Sequence, residues 1–110
     1  MATPEAFADI DMRVGTVLDA QPFPEARKPA IKLTIDFGPE LGVRRSSAQL
    51  TMHYSPASLV GRQVVAAVNL GTRRIAGFES QVLVLGAMPT ATEVVLLNPD
   101  QPVPDGTRIG

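Results

Sequence analysis

Proline and glycine interrupt this sequence so often that no long helix can form. Ten Pro and nine Gly are spread over 110 residues, and the pairs Gly38-Pro39 and Asn98-Pro99 separate short apolar runs. Pro removes a backbone donor and Gly favours turn conformations, so both residues end regular elements. The chain is therefore expected to consist of short strands joined by turns, with helices limited to single turns.

Apolar periodicity predicts where the strands lie. Residues 31–37 alternate strictly between apolar and polar side chains, and residues 10–18 keep the same period of two. This alternation indicates strands with one face on a core and one in water. Residues 64–68, 82–85 and 94–97 are continuous apolar runs, which favours strands buried on both faces.

Two short helical turns are predicted, at residues 4–8 behind Thr3 and at residues 55–60, where Ser again precedes Pro. Ser or Thr before a proline in the first turn is a helix-start signal. Short strands with a small helix between the third and the fourth predict an antiparallel barrel, closed or partly closed. We expect one domain over residues 1–110.

Composition indicates the cellular compartment in which this chain is expected to work. The chain has no Cys, which excludes disulfides and thiolate metal sites and favours a reducing cytoplasm. Its start carries no basic and apolar regions of a secretory signal. Apolar runs of about five residues are far below the ~20 that a membrane helix needs, so no membrane insertion is expected.

No catalytic pattern is evident. His53 is the only histidine and has no Cys or His companion for a metal site. The nucleophile elbow, the dinucleotide fingerprint and the phosphate-binding loop are all absent, and the acids are scattered singly. The sequence predicts a protein that is not an enzyme and uses no cofactor.

Charge is unevenly distributed along the chain. Residues 27–74 contain eight Lys or Arg against two acids, a local balance of +6, although the whole chain carries −1. Such a basic middle indicates one basic face, unless it is ordinary surface charge.

Two polar segments are candidate recognition surface. In residues 43–49, a strand would place Arg45, Ser47 and Gln49 on one face and Arg44, Ser46 and Ala48 on the other. Hydroxyls beside Arg suit hydrogen bonding to phosphate, sugar or peptide backbone; the alternative is a solvated edge strand. In residues 69–80, two Arg and Phe78 would present charge beside an apolar platform, unless Phe78 belongs to the core.

These segments give the chain a family resemblance. It is similar to CsaA-type proteins, the bacterial stand-alone relatives of the tRNA-binding domain appended to some methionyl- and phenylalanyl-tRNA synthetases. The matching stretches are residues 23–33, 35–38, 45–51, 69, 73–80, 82–86 and 98–107.

The resemblance implies an all-β, five-stranded oligonucleotide/oligosaccharide-binding (OB) barrel. It also implies a homodimer to which the N- and C-terminal extensions contribute, acting as an export-related chaperone for unfolded or presecretory polypeptides. In the wider family the barrel face and the loop at residues 69–80 contact tRNA. The ligand-facing residues carried over by motif position are Lys32, Ser46, Ser47, Asn69, Arg73, Arg74 and Ser80. With Arg44, Arg45, Gln49 and Phe78, these form the predicted site.

Two departures favour polypeptide over tRNA. Phe78 replaces the smaller aliphatic residue frequent in the tRNA-binding branch, and the net charge of −1 is less basic than RNA delivery suggests. The principal hypothesis is therefore a chaperone that binds polypeptide, with an RNA-binding module second and a subunit role in a larger complex also open. Apolar chain ends (Phe7, Ile10, residues 94–97 and 102–104, Ile109) independently favour a two-fold dimer.

Overall fold

A computed structural model describes all residues, 1–110, as nine strands and three short helices. The elements are α1 (Pro4–Ala8), β1 (Met12–Pro22), β2 (Ile31–Asp36), α2 (Gly38–Leu41), β3 (Val43–Ala48), α3 (Pro56–Leu59), β4 (Gln63–Ala67), β5 (Arg73–Ile75), β6 (Phe78–Ser80), β7 (Leu83–Val84), β8 (Gly86–Thr90) and β9 (Glu93–Leu96). No helix has the length and apolar character needed to cross a membrane.

Five strands form one antiparallel sheet in the order β3-β2-β1-β4-β7. The sheet curls until β3 meets the segment before β7. There the Gln81 amide donates to the Arg45 carbonyl at 2.8 Å, and the Ser46 hydroxyl donates to the Val82 carbonyl at 3.1 Å. The predicted OB-type barrel is confirmed, and α3 lies between β3 and β4 along the chain.

The core follows the predicted alternation. Ile31, Leu33 and Ile35 are at most 2% exposed and point into the barrel, whereas Lys32 and Thr34 lie on its outer face, only partly buried. Val64–Val68 is buried throughout, as the continuous apolar run predicted. Both predicted helical turns are present, and the side chains of Thr3 and Ser55 cap them by accepting backbone N–H groups.

Two predictions of doubly buried strands are wrong. Leu83 is 52% exposed, and Val95 and Leu97 are 40% and 45% exposed. The reason is their place in the fold: β7 is the last strand of the main sheet, and β9 pairs only with β8 in a separate two-stranded hairpin. Apolar side chains on such edge positions have no second layer to cover them.

The C-terminal segment completes the sheet beside β1. The Gly106 amide donates to the Val14 carbonyl at 2.7 Å, and the Val14 amide donates to the Thr107 carbonyl at 2.9 Å. The Gln63 side chain holds Val103 through two further hydrogen bonds. The backbone edge of β1 that β2 leaves free is thereby paired, which removes an exposed sheet edge.

Arg13 fastens the same region. Its guanidinium donates to Asp11, Glu40 and the Gly106 carbonyl, and its side chain is only 15% exposed. The hydrogen bonds to Asp11 and then to Glu40 raise the pKa of Arg13 above its ordinary value. The side chain therefore stays charged, and it links β1, α2 and the C-terminal segment.

The turn at Gly106 is expected to tolerate no side chain. Gly106 has φ +90°, and an added Cβ would lie 2.5 Å from the Phe37 carbonyl oxygen; Gly61 has φ +89° with open space around it. We expect Gly61→Ala to cost ~1–2 kcal/mol of unfolding free energy through backbone strain alone. Gly106→Ala should cost ~1–3 kcal/mol more, because backbone must move as well. Urea unfolding of both variants measures the difference, and equal losses would contradict the close approach.

Candidate binding groove

Two loops meet over the outer face of β2 and β3. One is the β1–β2 loop, residues 23–30, and the other is the β5–β6 hairpin. Phe23 of the loop and Phe78 of the hairpin pack edge to face with ring centroids 5.4 Å apart, and Ala30 completes a small second core. The hairpin turns at Ala76 and Gly77, both with positive φ, as a two-residue hairpin loop requires. The contact fixes both loops against the sheet.

Phe78 is therefore not an exposed platform, and that expectation is corrected. The ring is 6% exposed. The Arg45 guanidinium lies 4.3 Å from its centroid, and the Lys32 ammonium lies 5.4 Å from it and 4.7 Å from the Phe23 centroid. The face of an aromatic ring attracts cations. Phe78 thus orients two positive side chains instead of offering its own surface to a ligand.

An open groove of about 450 Å³ lies beside this second core. The β1–β2 loop, β3, the β5–β6 hairpin and β7–β9 form its walls. Nine of its fifteen lining residues are hydrophobic, and Leu83 and Met88 are 52% and 60% exposed. We call it the main groove; its lining residues are Ala26, Arg27, Lys28, Ala30, Ser47, Ala48, Gln49, Leu50, Arg73, Ile75, Leu83, Val84, Gly86, Met88 and Val94.

The basic residues of the central segment divide into two groups. Arg44 donates to the Leu41 carbonyl, Arg62 to the Ser58 carbonyl, and Arg74 pairs with Glu79 at 3.0 Å. By contrast, Arg27, Lys28 and Arg73 are exposed and make neither an ion pair nor a side-chain hydrogen bond within the protein. All three line the main groove. Three basic side chains without any partner in the protein therefore lie at the main groove.

The structure brings together part of the predicted site. Ser47, Gln49 and Arg73 line the main groove, and Lys32 and Arg45 lie next to it over the Phe23–Phe78 pair. This arrangement places hydroxyl, amide and cationic groups around an apolar floor.

The remaining predicted residues make internal contacts. The Ser46 hydroxyl is fully buried against the Val82 carbonyl, and the Ser80 hydroxyl accepts the Ser47 amide at 3.0 Å. The Asn69 side chain accepts the Asp11 amide and donates to the Asp9 carbonyl. Arg44 and Arg74 have the partners named above. These side chains close the barrel, fix the hairpin or hold the N-terminal segment in place.

The predicted site includes only three of the fifteen residues that line the main groove, and the omitted residues that bear on binding are Arg27, Lys28, Leu83 and Met88. Arg27 and Lys28 lie in a loop without periodicity, so only the basic run and the family motif signalled them. Leu83 lies in the run 82–85, which predicts a strand buried on both faces, and Met88 lies between Gly86 and Pro89, outside any apolar run. No sequence pattern indicates that β7 and β8 border the same groove as the β1–β2 loop.

Fold and site together define a class of protein. In OB barrels, the face of strands 2 and 3 and the flanking loops form the ligand surface, and here the same face carries an open groove with unpaired cations. No three His, Cys, Asp or Glu residues lie close enough to hold a metal ion. The arrangement is that of a binding module.

Comparison with known proteins identifies the family. The family model described as "Putative tRNA binding domain" matches residues 12–108, and the chain belongs to this family. It is 37% identical over 105 residues to the methionine–tRNA ligase of Methanospirillum hungatei, covering 96% of this chain. The chain spans only about 15% of the length of that ligase.

Solved structures match along the whole chain. The chaperone CsaA from Bacillus anthracis is 55% identical with a TM-score of 0.95, over 100% of this chain and 99% of that one. The CsaA chaperone protein from Picrophilus torridus is 43% identical with a TM-score of 0.92, over 100% of both chains.

Proposed function

We propose that this protein is a non-catalytic, cytoplasmic chaperone that holds extended segments of unfolded or presecretory polypeptides and needs no cofactor. The observation that carries the proposal is the open main groove, in which exposed Leu83 and Met88 lie beside unpaired polar groups. The likeness to two chains described as CsaA chaperones supports it.

The groove has the properties that an unfolded chain requires. Burial of aliphatic side chains on its apolar floor contributes a favourable free energy of roughly 25 cal/mol per Å² of apolar surface removed from water. The Ser47 hydroxyl and the Gln49 amide make no hydrogen bond through their side chains within the protein, so they are free to pair with peptide groups. Pairing matters because a buried peptide group without a partner costs free energy.

Loss of the exposed apolar side chains is expected to weaken polypeptide binding. Met88→Ser and Leu83→Ser should each raise the Kd for a reduced, unfolded test protein by about tenfold, since burial of one such side chain contributes ~1.5–3 kcal/mol at most. Fluorescence anisotropy with a labelled unfolded polypeptide measures this. Val43→Ser is the matched control, because Val43 is 54% exposed but does not line the groove. Equal effects of the control and the groove variants would contradict the proposal.

A second candidate function is tRNA binding. It is favoured by Lys32 and Arg45, which are held over aromatic rings on the OB ligand face with no carboxylate within 4.0 Å. The family and the methionine–tRNA ligase relatives support it. Because Phe23 and Phe78 are buried, the binding energy would come from phosphate contacts and not from base stacking.

Salt dependence tests the second function. For single-stranded RNA, each phosphate neutralised contributes about −0.7 to the slope of log K against log salt concentration. We expect Lys32→Gln and Arg45→Gln each to reduce the magnitude of the slope by about 0.7 in filter-binding titrations with tRNA, the value for contact with a single-stranded segment. Arg62→Gln should leave it unchanged, since Arg62 is engaged by the Ser58 carbonyl. Slopes identical in all four proteins would contradict this function.

We also propose that two copies associate through the N-terminal face. Helix α1 buries none of its residues, and Phe7, Ile10 and Leu70 are 48%, 40% and 56% exposed. Asn69 ties the segment after α1 beside Leu70 through two hydrogen bonds, so these side chains share one surface. A second copy covers such a surface most simply by two-fold symmetry.

The association is tested by sedimentation equilibrium. The unaltered protein should sediment as a dimer, and the double variant Phe7→Ser with Leu70→Ser should sediment at the monomer mass of 11.7 kDa. Val43→Ser with Val60→Ser removes a comparable exposed apolar area elsewhere and should leave the dimer intact. A dimer that survives in both double variants would place the interface on another face.

A further inference from the structure

A second cleft of about 440 Å³ continues the main groove. It lies between the end of the β1–β2 loop, residues 49–52 and the β8–β9 turn at Ala91 and Thr92. Lys28 and Gln49 line both cavities, so the two cavities meet at these side chains. We call the combined surface the double groove.

All the charged side chains that line the double groove are basic. Arg27, Lys28 and Arg73 line it, and no Asp or Glu does, although the chain has eleven acids and ten basic residues. Glu93 follows Thr92 in the β8–β9 hairpin but lines neither cavity, and its carboxylate oxygen lies 2.6 Å from the Nε2 atom of His53. None of the three cations forms an ion pair within the protein. These cations are therefore available to pair with a negatively charged group of a ligand.

Apolar and polar groups occupy successive parts of the double groove. Leu83 and Met88 lie in the main groove, Lys28 and Gln49 at the junction, and Thr51 and Thr92 in the cleft. The Gln49 side chain, which offers both a donor and an acceptor, has no hydrogen-bond partner within the protein and matches the two groups of a peptide bond. A segment that runs along the double groove in extended form, at about 3.3 Å per residue, therefore passes from aliphatic side chains to cationic and polar ones.

We propose that the double groove selects extended polypeptide segments in which Asp or Glu stands next to aliphatic residues. The aliphatic side chains pack on Leu83 and Met88, and the carboxylate is held at Lys28, with Arg27 and Arg73 adding attraction. The inference rests on the proposed polypeptide-binding function and adds the chemistry of the client. The basic start of a secretory signal is repelled by the same three cations, so the segment held lies elsewhere in a client chain.

The test uses three labelled peptides that have the same length and the same aliphatic residues. The residues next to the aliphatic ones are Glu in the first peptide, Gln in the second and Lys in the third. We expect the Glu peptide to bind the unaltered protein about two- to fivefold more tightly than the Gln peptide, and the Lys peptide to bind most weakly. Raising the salt concentration should compress these differences. This series needs no variant, so folding defects do not affect it.

Charge reversal at the junction then locates the effect. Lys28→Glu should remove most of the preference for the Glu peptide over the Lys peptide, because Lys28 is exposed, lines both cavities and contributes one of the three positive charges. Arg108→Glu makes the same change in net charge at a residue that lines neither cavity, and should keep the preference. An equal loss of the preference in both variants would show a general charge effect and overturn the proposal.

The remaining outcomes separate the two levels of inference. Equal binding of all three peptides overturns the acid selection but leaves polypeptide binding in place. No binding of any peptide overturns both. A competition experiment compares unlabelled Glu peptide with a single-stranded RNA of equal charge. If the RNA displaces the labelled Glu peptide at the lower concentration, the double groove is a nucleic-acid site and the proposal is overturned.

Discussion

The edge-to-face contact between Phe23 and Phe78 holds together the two loops on which the binding surface depends. The β5–β6 hairpin has only three residues in each strand, and an isolated two-stranded hairpin is marginal in water. The second core around the two rings and the bond from the Ser47 amide to the Ser80 hydroxyl dock it on β3. Because the hairpin is docked, Arg73 faces Arg27 and Lys28 across one groove.

The distribution of charge depends on the same packing. Arg13, Arg44, Arg62 and Arg74 are satisfied within the protein and serve the fold. Lys32 and Arg45 rest on aromatic rings, which orient them without neutralising their charge. The three groove cations have neither kind of partner. A chain with a net charge of −1 thus presents a locally positive surface.

The barrel could be predicted from the sequence because local rules and the fold agree. Alternation placed Ile31, Leu33 and Ile35 inward, and Thr3 and Ser55 marked the helix starts. Strand β8 was missed because Gly86 and Pro89 are turn residues elsewhere, but an edge hairpin tolerates them. The site was predicted only in part: periodicity placed Ser47 and Gln49 on the same face of a strand, whereas the burial of Phe78 depends on Phe23, 55 positions away in the chain.

The two ligand classes differ in which part of the surface they use. A nucleic acid gains phosphate contacts from Lys32, Arg45 and the groove cations but leaves Leu83 and Met88 in water. Its bases find no exposed ring at this surface, because Phe23 and Phe78 are buried. A polypeptide with both aliphatic and acidic residues covers the apolar floor and neutralises the cations at once. Since apolar burial is independent of salt while phosphate contacts weaken steeply with it, the polypeptide gains the advantage as ionic strength rises. The apolar floor between unpaired cations is therefore the feature that favours a chaperone over an RNA carrier on this barrel.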